Sequence, residues 1–170
     1  MDRMVIDGDG HVMEDETIAD YIEEPYRSKG QFLTMSRIFP NFDFHHLGLY
    51  SQSPKSFGGG KPVGPKEWKE FIDYARFDYA VVYPTLGLAM GNISHPDWAC
   101  AAARTYNNWL HDRYLKSIPR LKGMALIPLQ DVQEAAIELR RAVEELGMVG
   151  AMLPSRGLPF DLGHKTYWPI

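Results

Sequence analysis

Short apolar runs alternate with amphipathic segments over most of the chain. The apolar runs cover residues 4–8, 79–83, 121–127 and 148–153, and a proline follows each of the last three. Apolar residues recur at helical spacing in 66–77, 97–117 and 131–146, with a shorter acidic candidate helix at 14–24. Unbroken apolar strands that alternate with helices are typical of right-handed βαβ units in a parallel sheet with both faces covered. The pattern therefore predicts an α/β fold built from four βα units.

Four such units are half of an eight-stranded (βα) barrel. The last residues, 164–170, have the character of the first turns of another helix, whereas a complete barrel takes roughly 200 to 250 residues or more. We therefore predict that residues 1–170 form one domain, the N-terminal half of a TIM-barrel-type fold.

A long segment after the first strand lacks any sustained periodicity. It spans residues 26–66 and contains the flexible stretch 55–62. Because long insertions without regular structure are usually functional, we predict a lid-like loop. Aromatic side chains suited to cover an aromatic substrate there are Phe39, Phe42 and Phe44. The adjacent pair His45 and His46 is interpreted as loop residues, since neighbouring side chains rarely converge on one ion.

Composition narrows the choice of partner. The 170 residues are 45% hydrophobic and 24% charged, and 18 basic against 22 acidic residues give a formal net charge of −4. This excludes wholesale disorder, and the mixed charges exclude a broad surface for nucleic acid or anionic lipid. Without an apolar run of ~20 residues or a leader-like N-terminus, we expect a cytoplasmic protein with a small-molecule partner. The lone Cys100 lies in an apolar run and is interpreted as a buried structural thiol.

The stretch from Asp7 to His11, at the end of the first predicted strand, contains the candidate chemistry. Two glycines and two aspartates make continued strand pairing unfavourable there, so it is interpreted as a loop. In an extended backbone Asp7, Asp9 and His11 project to one face, which in a barrel is the inside. A carboxylate and a neutral imidazole are suitable ligands for Zn²⁺, Mn²⁺ or Fe²⁺. The alternative is a simple turn in which Asp and Gly serve backbone geometry.

At this point the chain resembles a known family. Residues 6–14, with the sequence IDGDGHVME, are similar to the opening motif of the amidohydrolase-related metal enzymes typified by aminocarboxymuconate semialdehyde decarboxylase. Residues 106–110, 119–131 and 135–150 also match that family in order and spacing. The resemblance covers nearly the whole chain and is weakest across 26–66.

The resemblance implies a distorted (βα)₈ barrel with one divalent metal. In the family an H-x-H pair after the first strand, a His after the fifth and an Asp after the eighth hold that metal. His11 matches the second His of the pair, and Asp9 stands in place of the first. An oxygen ligand at this position favours Mn²⁺ or weakens Zn²⁺ binding. With two ligands in this sequence the set is incomplete, so we expect weak metal binding and little turnover by this polypeptide alone.

Three further residues are predicted to contact substrate. Arg156 follows the fourth predicted strand and could hold a substrate carboxylate through a bidentate pair, or be a solvated loop residue. His95 follows the second strand and is a second candidate, and Phe44 is the third. His111 and His164 are interpreted as a helix-face residue and a helix start. The tryptophans interpreted as helix-to-sheet packing are Trp68, Trp98, Trp109 and Trp168.

Two functions of different classes follow. The resemblance implies an enzyme that decarboxylates or hydrolyses a small, aromatic carboxylate with the help of one Zn²⁺ or Mn²⁺ ion. The alternative is a non-catalytic half-barrel that acts as an interaction or assembly module. Its open sheet edges and apolar inner face would lead it to form a homo-oligomer or to pair with a complementing chain.

Overall fold

A four-stranded parallel sheet organises the protein. The computed structural model describes residues 3–29, 38–40 and 63–170. The strands are β1 (Ile6–Val12), β2 (Tyr79–Pro84), β3 (Leu121–Leu126) and β4 (Gly150–Met152). Their order in the sheet is β1-β2-β3-β4, and every neighbouring pair is parallel. The predicted βα arrangement is confirmed, although β4 is shorter than the predicted run 148–153.

Three α-helices connect the strands, and they begin where the sequence predicts. They are α1 (Pro65–Ala75), α2 (Pro96–Leu110) and α3 (Val132–Glu144). A proline occupies the first turn of α1 and of α2, where its missing N–H costs nothing. Asp131 caps α3 by accepting hydrogen bonds from the backbone N–H groups of Gln133 and Glu134.

The remaining predicted helices differ from expectation. The predicted helix 97–117 ends as an α-helix at Leu110 and continues as a π-helical turn, His111–Leu115. The acidic candidate 14–24 forms only a 3₁₀ helix, Glu16–Tyr21. Asp15 caps it by accepting a hydrogen bond from the backbone N–H of Thr17. At the other end, His164 does begin a helix, but it is a short 3₁₀ turn, Lys165–Tyr167.

The first strand continues through the residues that were predicted to form a loop. Asp7 pairs with Ala80, and Gly10, His11 and Val12 pair with Val82, Tyr83 and Pro84. The prediction of a loop was wrong because a β-bulge between Asp7 and Gly10 absorbs one extra residue, after which the ladder to β2 resumes.

The core lies between the sheet and the helices. In β1 and β2 the buried residues alternate with partly exposed or exposed ones, and the buried set is Gly10, Val12, Ala80, Val82 and Pro84. Trp68 of α1 and Trp109 of α2 are buried against this face, as predicted. Trp98 is partly buried against the same core. The prediction fails for Trp168, which is 77% exposed and lies beyond the last strand.

Part of the predicted lid belongs to the core instead. Ile38 and Phe39 are 1% and 3% exposed, and the carbonyl oxygen of Ile38 accepts a hydrogen bond from Nε1 of Trp98 at 3.2 Å. Phe39 is therefore a packing residue, since burial leaves its ring no surface for a substrate. Most of the predicted loop, including Phe42, Phe44, His45 and His46, lies outside the described residues.

Two expectations drawn from composition can be compared with the structure. Cys100 is a buried free thiol, as predicted. Within 3–29, 38–40 and 63–170, none of the helices has the length and apolar character needed to cross a bilayer.

Candidate metal centre

Asp9 and His11 lie on the open face of the sheet. Both are exposed, and they alternate with Gly10 and Val12, which are buried on the helix side. Tyr83 is the register partner of His11 in β2, and the centroids of the two rings are 6.0 Å apart. Because the strands of a (βα) barrel carry their active-site residues at the C-terminal ends, this is where a site is expected.

The β-bulge separates Asp7 from this pair. Asp7 pairs with Ala80 and Gly10 pairs with Val82, so three residues of β1 span the distance of two residues of β2. The extra residue reverses the alternation, and the register places Asp7 on the same side as Gly10 rather than with His11. Asp7 instead accepts a hydrogen bond from the backbone N–H of Asp9 at 3.3 Å. The predicted grouping of all three side chains was therefore wrong for Asp7.

A backbone carbonyl orients the imidazole of His11. Its Nδ1 atom lies 2.9 Å from the carbonyl oxygen of Pro84, at the end of β2. A carbonyl oxygen can only accept, so Nδ1 is the donor, and in the neutral imidazole the lone pair then lies on Nε2. Metal-binding histidines are commonly held in this way, with one ring nitrogen donating to a carbonyl and the other facing the ion.

Sequence reasoning missed one residue of the site, Glu14. It is fully buried, and its carboxylate accepts backbone N–H bonds from Thr85, Leu86 and Gly87 at 3.2, 2.8 and 2.9 Å. Burial raises the pKa of the Glu14 carboxyl, and these hydrogen bonds act in the opposite direction. Glu14 falls in the predicted amphipathic helix 14–24, and its donors are about seventy positions away in the sequence, so no local pattern indicates this contact.

The described residues offer two donor groups that could hold a divalent ion. Asp9 offers a carboxylate oxygen and His11 an imidazole nitrogen, a donor set that fits a divalent cation of the Mn²⁺ or Zn²⁺ type. Across the described ranges no cluster of three or more His, Cys, Asp or Glu side chains could surround an ion. The pair therefore fits a metal as a partial ligand set.

Arg156 lies on the loop that follows β4. The residue is exposed, and its backbone packs against the end of a 3₁₀ helix, Leu86–Asn92, that follows β2. A Cβ atom added to Gly91 would clash with the Arg156 carbonyl oxygen and would lie 2.8 Å from Cβ of Pro154. On the other side of this contact, Gly157 has a φ of +89°, which favours glycine. The two segments are thus in backbone contact at the C-terminal end of the sheet.

Among the described residues, the structure does not bring His95 to Asp9 and His11, and His111 is a helix residue as predicted. His95 is exposed and is the N-cap residue of α2, without a side-chain capping bond. The helix-face residue His111 places Nδ1 2.9 Å from the carbonyl oxygen of Leu146. Phe44 lies outside the described residues.

The chain resembles known proteins in sequence and fold. A γ-resorcylate decarboxylase from Polaromonas sp. strain JS666 is 37% identical over 74 residues, which are 40% of this chain and 23% of that protein. The 5-carboxyvanillate decarboxylase structure from Novosphingobium aromaticivorans, with bound manganese, has a TM-score of 0.68 at 22% identity and matches 98% of this chain and 46% of that one. A dihydroxybenzoic acid decarboxylase structure from Polaromonas sp. JS666, with manganese and 2-nitroresorcinol, has a TM-score of 0.62 at 23% identity and matches 99% and 45%.

These matches identify the fold as a TIM-barrel type. The chain spans less than half the length of either solved relative. The family model described as "Amidohydrolase" matches residues 6–170, which is nearly the whole sequence. The chain therefore belongs to the amidohydrolase family.

Proposed function

We propose that this chain forms the N-terminal half of a metal-dependent decarboxylase that acts on an aromatic carboxylate. The observation that carries the proposal is the pair Asp9 and His11, exposed together on the open sheet face, with Nδ1 of His11 satisfied by Pro84. Family membership and the decarboxylase relatives support the class of reaction.

In the proposed reaction the bond between the ring carbon and the carboxylate carbon breaks. The electron pair stays on the ring carbon, which takes up a proton, and CO₂ leaves. A bound divalent ion would supply positive charge that holds the substrate oxygens and offsets negative charge as the bond breaks. Asp9 and His11 would hold that ion, and the Arg156 guanidinium would pair with an anionic group of the substrate.

Manganese is the ion we favour. Asp9 brings an oxygen ligand where a second imidazole would suit Zn²⁺ better. Manganese is also the metal in the Novosphingobium and Polaromonas decarboxylase structures. Growth in medium with Mn²⁺ or with Zn²⁺, followed by metal analysis and assay of each preparation, separates the two ions.

The test is a decarboxylation assay of the full-length protein of which this chain is proposed to form the N-terminal half. The Mn²⁺-loaded protein is incubated with γ-resorcylate or 5-carboxyvanillate, the substrates named for its relatives, and CO₂ release is measured. We expect release from at least one substrate, and a loss of at least about a hundredfold in Asp9→Asn and His11→Gln. Glu70→Gln, on the outer surface of α1, is the control that keeps activity. Absence of CO₂ release from both substrates would contradict the proposal.

An assembly module is the second candidate, and the sheet edges favour it. Ile6 in β1 and Val149 and Leu153 beside β4 are each about half exposed, at 54%, 54% and 47%. Apolar side chains at open strand edges favour pairing with another chain. Sedimentation of the purified chain at micromolar concentration tests this: a dimer or a complex supports it, and a stable monomer contradicts it.

A further inference from the structure

The segment after β2 is held from two sides. Its residues Thr85, Leu86 and Gly87 donate backbone N–H bonds to the Glu14 carboxylate. Its Thr85 hydroxyl donates to the Val12 carbonyl oxygen at 2.7 Å. Both partners, Val12 and Glu14, lie in the chain directly after His11. The segment is therefore fixed relative to β1 by four hydrogen bonds.

The same segment provides the acceptor for His11. The Pro84 carbonyl oxygen, one residue before Thr85, lies 2.9 Å from Nδ1 of His11. The Thr85 hydroxyl oxygen is farther from that nitrogen, at 3.5 Å, and its own proton points to Val12. Any shift of the segment would change the distance between the Pro84 carbonyl and the imidazole.

The Glu14 carboxylate suits this task in a way that an amide would not. One oxygen accepts the N–H groups of Thr85 and Leu86, and the other accepts that of Gly87. A glutamine keeps one acceptor oxygen and places an NH₂ group beside the remaining N–H. Two donors would then face each other in a buried site, which leaves the Gly87 N–H without a partner.

We propose that Glu14 and Thr85 are positioning residues for His11: they hold the Pro84 carbonyl against Nδ1 and so keep the Nε2 lone pair free for the metal. This inference rests on the proposed function in that it takes His11 as a metal ligand. It adds the claim that the tautomer and orientation of the ring are set by residues that do not touch the ion.

The test reads the imidazole directly in the metal-free chain. Nitrogen-15 NMR at a pH where His11 is neutral gives the ratio of its Nδ1–H and Nε2–H tautomers. We expect the Nδ1–H form to dominate in the wild type and the ratio to fall about three- to tenfold in Glu14→Gln, the factor that loss of one ordinary hydrogen bond represents. Glu138→Gln is the matched control, since Glu138 is also buried but bonds Asn107 and Arg141 on the helix side.

His111 provides an internal reference for folding. Its Nδ1 also faces a carbonyl, that of Leu146, far from Glu14 in the sequence. A His111 tautomer that stays the same while the His11 ratio falls supports the proposal. An unchanged His11 ratio in Glu14→Gln, with His111 unchanged, would overturn it.

Thr85 offers a second route if Glu14→Gln fails to fold. Thr85→Val removes the hydroxyl bond to Val12 together with the longer, 3.5 Å contact between that hydroxyl and Nδ1 of His11, and Thr85→Ser restores both. We expect the His11 ratio to fall in the valine variant and to recover in the serine variant. Equal ratios in both would overturn the role of Thr85.

Titration of the wild type with Mn²⁺ then separates this inference from the proposed function. If the His11 tautomer ratio depends on Glu14 but the His11 signals do not respond to Mn²⁺, the metal site is contradicted and the positioning result stands. If His11 binds Mn²⁺ but its tautomer ratio is the same in the wild type and the variants, only the positioning role is contradicted.

Discussion

Gly10 of β1 lies against the indole ring of Trp68 in α1. A Cβ atom added to Gly10 would be 2.7 Å from Cη2 of that ring and 2.9 Å from the Val81 carbonyl oxygen. Both distances are shorter than van der Waals contact. Gly10 stands between Asp9 and His11, so the tight packing of α1 on β1 fixes the backbone that carries the two candidate ligands.

We predict that Gly10→Ala lowers the free energy of unfolding by about 1–3 kcal/mol, the usual cost of overpacking a well-packed core. Urea denaturation followed by tryptophan fluorescence measures the change. Gly8→Ala is the matched control in the same strand, because a Cβ atom there meets nothing within 4 Å. Equal stability of the two variants would contradict the packing argument.

The pairing of β1 with β2 explains why the end of the first strand was predicted too early. Asp7 to His11 has the composition of a turn, and local composition was the only signal there. The structure keeps these residues in the sheet, since β2 provides a ladder and the bulge accommodates the extra residue. Elsewhere the apolar runs and capping residues were enough to predict the element boundaries. β2 and β3 match the predicted runs to within one residue. The N-cap residue of α3 is Asp131, as predicted.

We predict that the described residues bind Mn²⁺ weakly and that Asp9 and His11 carry the binding. Asp9→Asn and His11→Gln should each raise the Kd for Mn²⁺ more than about tenfold, since each removes one of two ligands. Electron paramagnetic resonance of free Mn²⁺ measures the Kd. Glu70→Gln, an exposed carboxylate variant on α1, should leave it unchanged. Wild-type affinity in Asp9→Asn would show that the ion binds elsewhere.

The candidate site was only partly accessible to sequence reasoning. A D-x-H spacing in a strand suffices to place Asp9 and His11 on one face, and the family motif strengthened that inference. Glu14 could not be found in the same way. Its role depends on the backbone N–H groups of Thr85, Leu86 and Gly87, which only the parallel pairing of β1 with β2 brings close. Backbone donors have no signature in the side-chain pattern.

A third prediction concerns the pH dependence of Cys100. Burial raises the pKa of its thiol from 9.0 to about 11. At pH 8 the folded chain should therefore hold about a hundredfold less thiolate than a thiol of ordinary pKa, and alkylation by iodoacetamide should be slower by at least that factor than in the urea-unfolded chain. The alkylation rate should rise about tenfold per pH unit up to pH 11. A rate that levels off near pH 9 would contradict the raised pKa.

The raised pKa of Cys100 also predicts the direction in which the stability of the protein changes with pH. The folded-state pKa lies above the unfolded-state value, so folding binds the proton more tightly. The contribution of Cys100 to stability is present below about pH 9 and is lost as the pH rises through 11. Urea midpoints of the wild type and of Cys100→Ala should therefore converge or cross between pH 9 and 11. A constant difference between them over that interval would contradict the assignment.

The last prediction concerns the loop that carries Arg156. Gly91 and Gly157 allow the segments after β2 and β4 to meet backbone to backbone, and a Cβ atom on Gly91 would clash with the Arg156 carbonyl. Gly91→Ala should therefore push Arg156 away from the end of the sheet. We expect faster hydrogen exchange at residues 155–158 and, in an active preparation, a higher KM with a smaller change in kcat, because Arg156 is proposed to bind substrate rather than to react. Gly163→Ala, where a Cβ atom meets nothing within 4 Å, is the control in the same loop region and should change neither quantity. If Gly91→Ala exchanges like the wild type at 155–158, then the segments do not depend on this contact and Arg156 is positioned by other means.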